Sequence, residues 1–367
     1  MFRRFAGTSA LVAAAFLAAG CTESSAPAVG KQLPPPLFSY SPNGITLNAL
    51  NGSLNYSGTL IRKGFDGATV HHGDAIIATF FWLGSTNIID SVTDVLTDAN
   101  FTRVGNTYHL VEYVTAGGIS MATYVATNVQ NFPDPPQGTV VLAVQANLSQ
   151  SVADGGVQIS TWTGVEDVFA QALGAHHSAT ASGSGTFGVA PGPISVNANA
   201  LVFGVSMARI SGLTGREPPT GFTQLAGLSD DSILADGEYI APASAGSSSP
   251  QWSYTFGAPS TALGTVFALN VAPAPQLTPP TNCLLEKIPP PSGYLKVSWT
   301  NSGESGVSTE VSIFHNGSWN VVSTVQPGIA SYFYILNGQT GQFTARVRHV
   351  KAGYPSSTYC VTGSVTV

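Results

Sequence analysis

Nowhere in its 367 residues does this chain sustain the three- and four-residue spacing of apolar side chains that lets a helix bury one face. What recurs is short runs rich in Val, Ile, Phe, Tyr and Thr, broken by Gly, Asn, Asp and Pro. Ala75–Leu83, Thr107–Thr115, Ile119–Val129, Gly138–Asn147, Gly155–Val165, Ala200–Ala208, Gln251–Phe256 and Ala262–Val271 all read as strands. Charged residues make up only 9% of the chain, so there is little Lys or Glu to clothe exposed helices, while 40 Gly and 24 Pro supply turns. The expected fold class is all-β. Eight or more strands in one unit predict two antiparallel sheets packed face to face in a jelly-roll-like sandwich. A second, smaller sandwich is expected after it.

The punctuation between the strands sets the domain limits. Residues 21–43 are rich in Pro and Ser around Pro34-Pro35-Pro36, lack apolar periodicity, and read as a partly extended tether. Residues 44–272 form the large sandwich, and residues 273–282 a linker whose Pro density (Ala272–Pro280, APAPQLTPP) opposes both helix and sheet. Residues 283–367 are the smaller sandwich.

The N-terminus carries an address. Arg3 and Arg4 precede an apolar run, Ala6 to Gly20, that is shorter than the roughly 20 residues needed to cross a bilayer. It reads as a signal peptide, residues 1–20. The ending Leu17-Ala18-Ala19-Gly20-Cys21 resembles the lipobox of bacterial lipoproteins, with one departure: Ala18 stands where leucine is usual. The resemblance implies cleavage before Cys21 and a diacylglycerol on its thiol, hence a membrane partner reached through the lipid. Thr22 rather than Asp at the next position implies outer-membrane sorting. The alternative is an ordinary secretory signal with Cys21 left over.

Two further resemblances concern the folded part. The order Gly73-Asp74-Ala75-Ile76-Ile77, "SVTD" (Ser91–Asp94), "GNTYHLV" (Gly105–Val111), "STWTGV" (Ser160–Val165) and "ALVFGV" resembles concanavalin-like sandwich modules of secreted bacterial proteins over about residues 45–272. These modules carry no common catalytic residue to transfer. Residues 281–367 resemble a fibronectin type III domain. Leu295–Trp299 matches its second strand and core tryptophan, Asn316-Gly317 a hairpin turn, and Phe343–Arg348 the penultimate strand. Phe343 stands where the family places its corner tyrosine, so that corner should be held by packing alone. The chain has three cysteines. With Cys21 lipidated, Cys283 and Cys360 remain as a candidate disulfide, and the resemblance puts them on the first and last strands of this domain.

Charge narrows the partners. Residues 45–275 hold five basic and fifteen acidic side chains, net −10, and residues 281–367 hold five and three, net +2. A domain at −10 repels phosphate backbones, which argues against nucleic acid. The densest acidic cluster, Asp230, Asp231, Asp236 and Glu238, has oxygen donors for a structural calcium ion on a loop, without EF-hand order. The solvated-loop reading of it is favoured, and no other cofactor is expected. Asp94, at the end of "SVTD", reads as a side chain that fixes a turn.

Catalytic patterns are thin. There is no GxSxG elbow, and Gly183-Ser184-Gly185 sits in what reads as a flexible Ser/Gly run. Glu112, Glu166 and Asp167 are carboxylates without a pairing signal. The adjacent pairs His71-His72 and His176-His177 point to opposite faces of any strand, and surface positions are the favoured reading. Aromatic residues suit sugar binding, because a pyranose face stacks on a flat ring. Trp82, Trp162 and Trp299 read as core, leaving Trp252 with Tyr254 (i and i+2, one strand face) and Trp319, just past the hairpin turn, as ligand-binding candidates.

The reading these observations support is a non-enzymatic cell-envelope lipoprotein. Its sandwiches would serve adhesion, binding of polysaccharide or of another envelope protein, or scaffolding. The alternatives are a carbohydrate-active enzyme on the jelly roll with the fibronectin-like domain as spacer, or a purely structural surface spacer.

Overall fold

The computed structural model describes residues 41, 44–66, 70–134, 138–289 and 293–367; the signal peptide, Cys21 and all but one residue of the tether lie outside them. The first half of the large sandwich consists of β1 (Thr46–Gly64), β2 (Ala75–Leu83), β3 (Ile89–Leu96), β4 (His109–Ala116), β5 (Ile119–Ala126) and β6 (Leu142–Thr163). A four-residue helix, α1 (Phe169–Ala172), leads to the second half. That half holds β7 (Leu173–Val189), β8 (Ile194–Val196), β9 (Leu201–Arg209), β10 (Leu213–Glu217), β11 (Thr223–Ser229), β12 (Ile233–Ile240), β13 (Gly246–Ser248) and β14 (Trp252–Leu269).

Two pairs of expected strands are fused. The runs at Gly138–Asn147 and Gly155–Val165 are the ends of β6, and those at Gln251–Phe256 and Ala262–Val271 are the ends of β14. Register shifts in the ladders, between Ser53 and Leu60 on β1 and between Phe256 and Ser260 on β14, mark the bends. The Ser178–Thr186 stretch, expected to be flexible, lies within β7 and pairs with β14 from Thr255 to Thr265. Its small side chains do not show the β-branched and aromatic alternation by which strands are recognised.

The two halves share one topology. The first sheet runs β1-β6-β2-β5-β4, with β3 also paired to β6. In the second sheet β14 takes β7 on one edge and β10 and β9 on the other, then β12 and β11 follow. In each half the long last strand splits its second edge between two partners. β6 pairs with β3 through its first part and β2 through its last; β14 does the same with β10 and β9. The contacts between sheets echo this. β4 reaches β7 through Glu112, which accepts hydrogen bonds from Ser178 Oγ (3.0 Å) and pairs with His176 Nδ1 (2.6 Å). β11 closes on β1, where a methyl group on Gly52 would lie 2.8 Å from Leu228 Cδ1 and 3.2 Å from the Val157 carbonyl.

The shared core sits between the sheets. It contains Ile77, Phe81, Met121, Val125 and Trp162 from the first half and Phe203, Met207, Ile233, Leu263 and Phe267 from the second. Because the bent ends of β6 and β14 fold over their own sheets, β2 and β9 are buried on both faces. Ile76, Ala78, Phe80 and Trp82 of β2 enter an outer cluster with Leu142, Val144 and Ala146 of β6. This is why Ala75–Leu83 is a continuous apolar run rather than an alternating one. Each of the larger side chains in this cluster contributes about 1.5–3 kcal/mol by leaving water.

The C-terminal domain contains β15 (Thr281–Lys287), β16 (Tyr294–Thr300), β17 (Ser308–His315), β18 (Ser318–Val325), β19 (Ser331–Ile335), β20 (Gln342–Val350) and β21 (Cys360–Thr366). They form two sheets, β15-β16-β19 and β18-β17-β20-β21. Strict alternation in YLKVSWT and QFTARVRHV sends Leu295, Val297, Trp299, Phe343, Ala345 and Val347 into the core. Asn316 and Gly317 both have positive φ, +52° and +80°, as a tight two-residue hairpin demands. Phe343 is fully buried and stacks on His315 at 4.0 Å, so the corner is packed. Cys283 and Cys360 are disulfide-bonded with Cα atoms 6.1 Å apart, joining β15 of one sheet to β21 of the other. The linker is held to this domain. The Thr278 carbonyl accepts from His349 Nδ1 at 2.7 Å, and its N–H donates to Glu304 at 3.1 Å.

Candidate functional site

On β12 the sequence Leu234-Ala235-Asp236-Gly237-Glu238 alternates Ala235 into the shared core, so Asp236 and Glu238 share the opposite face. On that face lie Ser206 of β9, Arg216 of β10, and Trp252 and Tyr254 of β14. Two candidate sets, the aromatic platform and half of the calcium cluster, thus meet in one place, and that place is the interior. Trp252, Tyr254 and Glu238 are 0% exposed and Asp236 is 1%. The indole N–H of Trp252 donates to Glu238 Oε2 at 2.9 Å, Arg216 Nη1 donates to Asp236 Oδ1 at 2.5 Å, and the Tyr254 and Ser206 hydroxyls bond at 2.7 Å.

Both candidate readings are therefore corrected. Trp252 and Tyr254 offer no ring to a sugar, because the first part of β14 turns its i and i+2 side chains onto β9 and β12 rather than outward. Asp236 and Glu238 belong to a strand, not to a calcium loop. Asp230 caps the turn before that strand, accepting the N–H groups of Ser232 and Ile233 at 2.7 Å each. Among the described residues no three His, Cys, Asp or Glu side chains converge as a metal site. An open recess of about 290 Å³ beside Glu217, Pro219, Gln251 and Ser253 does not include the buried carboxylates.

Burial pushes the Glu238 carboxyl up to about 8, an effect the Trp252 N–H opposes and Asp236 reinforces. Burial likewise pushes Asp236 up to about 6 against the pull of Arg216. Glu238 Oε1 and Asp236 Oδ2 have no hydrogen-bond partner among the described residues. A carboxyl whose folded pKa lies above its unfolded value binds its proton more tightly when folded. Its contribution to stability is full below the unfolded pKa and is lost as pH rises toward 8. The Glu238→Gln protein keeps the oxygen that accepts from Trp252 and cannot ionise. Urea titrations at pH 5 and pH 8 should show the wild type losing more stability than this variant; equal losses would remove Glu238 as the cause.

Trp319 has a different setting. It is half-buried at the start of β18, against Phe314 at 5.3 Å, and its other neighbour is Arg346, whose guanidinium carbon lies 4.3 Å from the indole centre. Arg346 also lies 4.0 Å from the ring of Tyr359, and Arg348 covers Tyr359 at 4.7 Å. Arg348 pairs with Glu310 at 2.9 Å, and the Tyr359 hydroxyl donates to Glu310 at 3.1 Å. Trp319, Arg346, Tyr359 and Arg348 thus stack in sequence on the outward face of the four-stranded sheet, each cation held by a ring face. Sequence reading singled out only Trp319. The alternation of Arg346 and Arg348 in QFTARVRHV was legible, but their contacts with Trp319 and Tyr359 depend on register across the sheet.

The remaining candidates are held by the framework. Asp94 accepts from the N–H groups of Gly105 (3.0 Å) and Asn106 (3.2 Å), anchoring the segment before β4; burial raises its pKa against those bonds. Glu166 accepts from the Asp167 N–H at 3.1 Å. His71 pairs with Asp134 at 3.3 Å and His176 with Glu112, so the two histidine pairs serve different contacts. Trp82 and Trp162 are fully buried and Trp299 nearly so, as expected. On the three-stranded sheet, Tyr294, Phe333 and Ile335 remain 40%, 54% and 53% exposed.

No protein-family description and no curated protein matches the chain. Among solved structures, FN3tt is 15% identical over 26% of this chain and 95% of its own, with a TM-score of 0.22. Domains from titin are 9% identical over 85% of this chain and 99% of theirs, TM-score 0.23. The BSP domain of a biofilm associated protein is 13% identical over 90% and 68%, TM-score 0.17. Likenesses this loose carry no functional argument.

Proposed function

We propose that this is an exported, lipid-anchored envelope protein whose sandwiches bind or space other surface molecules without chemical turnover. The observation that carries the reading is the Cys283–Cys360 disulfide. Such bonds persist in oxidising compartments outside the cytoplasm, in keeping with a leader that ends at Cys21. The resemblance of residues 45–272 to concanavalin-like modules points the same way. In support of this reading, Asp236, Glu238 and Asp94 are buried among strand partners, and Glu112 joins β4 to β7. What the surface offers is display, with a linker pinned to its domain and exposed faces on both C-terminal sheets.

Two or three acyl chains on Cys21 would hold the protein firmly to a membrane, where a single chain binds only marginally. Mass spectrometry of the mature N-terminus should find an acylated Cys21, and the Cys21→Ser protein should leave the membrane fraction. An unmodified Cys21, or a serine variant that stays with membranes, would overturn the anchor.

A further inference from the structure

Arg346 occupies the middle of the outward face of the β18-β17-β20-β21 sheet, in register with Ser312 of β17 and Val361 of β21. Its guanidinium lies between Trp319 and Tyr359, at 4.3 and 4.0 Å. The two rings pack against the guanidinium and its Nε is buried, so the terminal Nη groups are the donors that remain. Among the described residues, Arg348 has Glu310 as acceptor, Arg216 has Asp236, and Arg62 has Gln145. Arg346 has no hydrogen bond or ion pair among the described residues. Its Nε and the neighbouring Ser312 Oγ are both buried without a partner. This is a guanidinium held in place by its own domain, with its charge and its directional donors left unmet, in the part of the chain that carries net +2.

We propose that this face binds a carboxylate-bearing polysaccharide and that Arg346 is the residue that takes its carboxylate. The proposal deepens the binding role given above and rests on it. A guanidinium edge matches a planar carboxylate with two parallel N–H···O bonds, and the flanking rings hold that edge in one orientation before the ligand arrives. The surroundings suit a sugar. The exposed hydroxyls of Thr344 and Ser364, bonded to each other at 2.7 Å, lie one register step along the ladder. Val361 beside Arg346 and Val321 opposite Ser312 are 57% and 58% exposed, giving low apolar ground for the C–H face of a sugar ring. These side chains span neighbouring strands, so a chain of sugars can lie across them. The acidic sandwich at −10 would repel the same polymer, which confines binding to the C-terminal domain.

The test is affinity electrophoresis and titration calorimetry of the full chain with polygalacturonate, dextran sulfate, neutral dextran and poly-glutamate. Polygalacturonate should bind best, and binding should weaken as salt rises. Arg346→Gln should weaken it at least tenfold, and Arg346→Lys, which keeps the charge but loses the fork, should recover only part of it. Lys351→Gln, a charge change away from the stack, should leave it unaltered. If Arg346→Gln does not fold, phenylglyoxal labelling of the wild-type protein gives the answer: polygalacturonate should protect Arg346. Equal or tighter binding of dextran sulfate would make this an unspecific anionic surface, and tighter binding of poly-glutamate a site for acidic peptides; either overturns the proposal. So do binding of neutral dextran alone, no binding at all, an unaffected Arg346→Gln protein, or unprotected Arg346. Because the measurement is made in solution, its failure is separate from any failure of the lipid anchor.

Discussion

Replacing Asp74 with alanine should destabilise the large sandwich by about 3–5 kcal/mol, since a fully buried carboxylate and the four hydrogen bonds it accepts are lost at once. Asp74 is fully buried ahead of β2. Its Oδ2 accepts from Asn48 Nδ2, the His71 N–H and Thr161 Oγ1, each at 2.9 Å, and its Oδ1 accepts from Thr163 Oγ1 at 2.7 Å. Those donors come from β1, from β6 and from the turn that enters β2. One carboxylate therefore ties three segments that are distant in sequence. Alanine leaves Thr161 Oγ1, which is fully buried, and the partly buried donors around it without this acceptor. Chemical denaturation of the wild-type and Asp74→Ala proteins measures the difference; a loss below about 1 kcal/mol would show that the neighbours can satisfy one another.

Removing the disulfide should have an effect of similar size, confined to the C-terminal domain. Cys283 and Cys360 are 77 residues apart, and closing a loop of that length restricts the unfolded chain by roughly 4 kcal/mol in the chain-entropy account. The Cys283→Ala/Cys360→Ala protein should show the transition of the C-terminal domain moved to lower temperature, with that of the sandwich in place. A C-terminal transition that does not move would mean that the packed core around Trp299 and Phe343 suffices. A shift of both transitions together would mean that the two domains unfold as one.

Where strands alternate or run apolar, the sequence foretold them closely. Ala75–Leu83 coincides with β2, and Trp299, placed in the core by the resemblance of Leu295–Trp299 to a fibronectin strand, is nearly fully buried on β16. Less legible were strands built from small polar residues, such as β7, and the fusion of two runs into β6 or β14, because a bulge looks like a turn when only one strand is visible. The candidate site failed for a related reason. The i, i+2 rule places Trp252 and Tyr254 on one face, and Asp236 and Glu238 likewise, but says nothing about which face is covered. The covering is done by the bent ends of β14 and by β10, a long-range arrangement with no local signal. Asp74 falls within the Gly73-Asp74-Ala75 motif, but its role depends on partners from β1 and β6 that no local pattern specifies.

The repeated topology also bears on how quickly the native state can be reached. β1 is the first strand of its half and β6 the last, so Thr46–Gly64 has no ladder partner until Leu142–Thr163 has been made and brought back. β7 waits in the same way for β14. Closing such wide loops precedes any reward from the contacts they allow, which places the domain among slow folders of high contact order. Because the apolar side chains of the two halves meet in one shared core, neither half can complete its burial first. The chain must therefore stay open until nearly all of it is available, and assembly is timed by the arrival of β14.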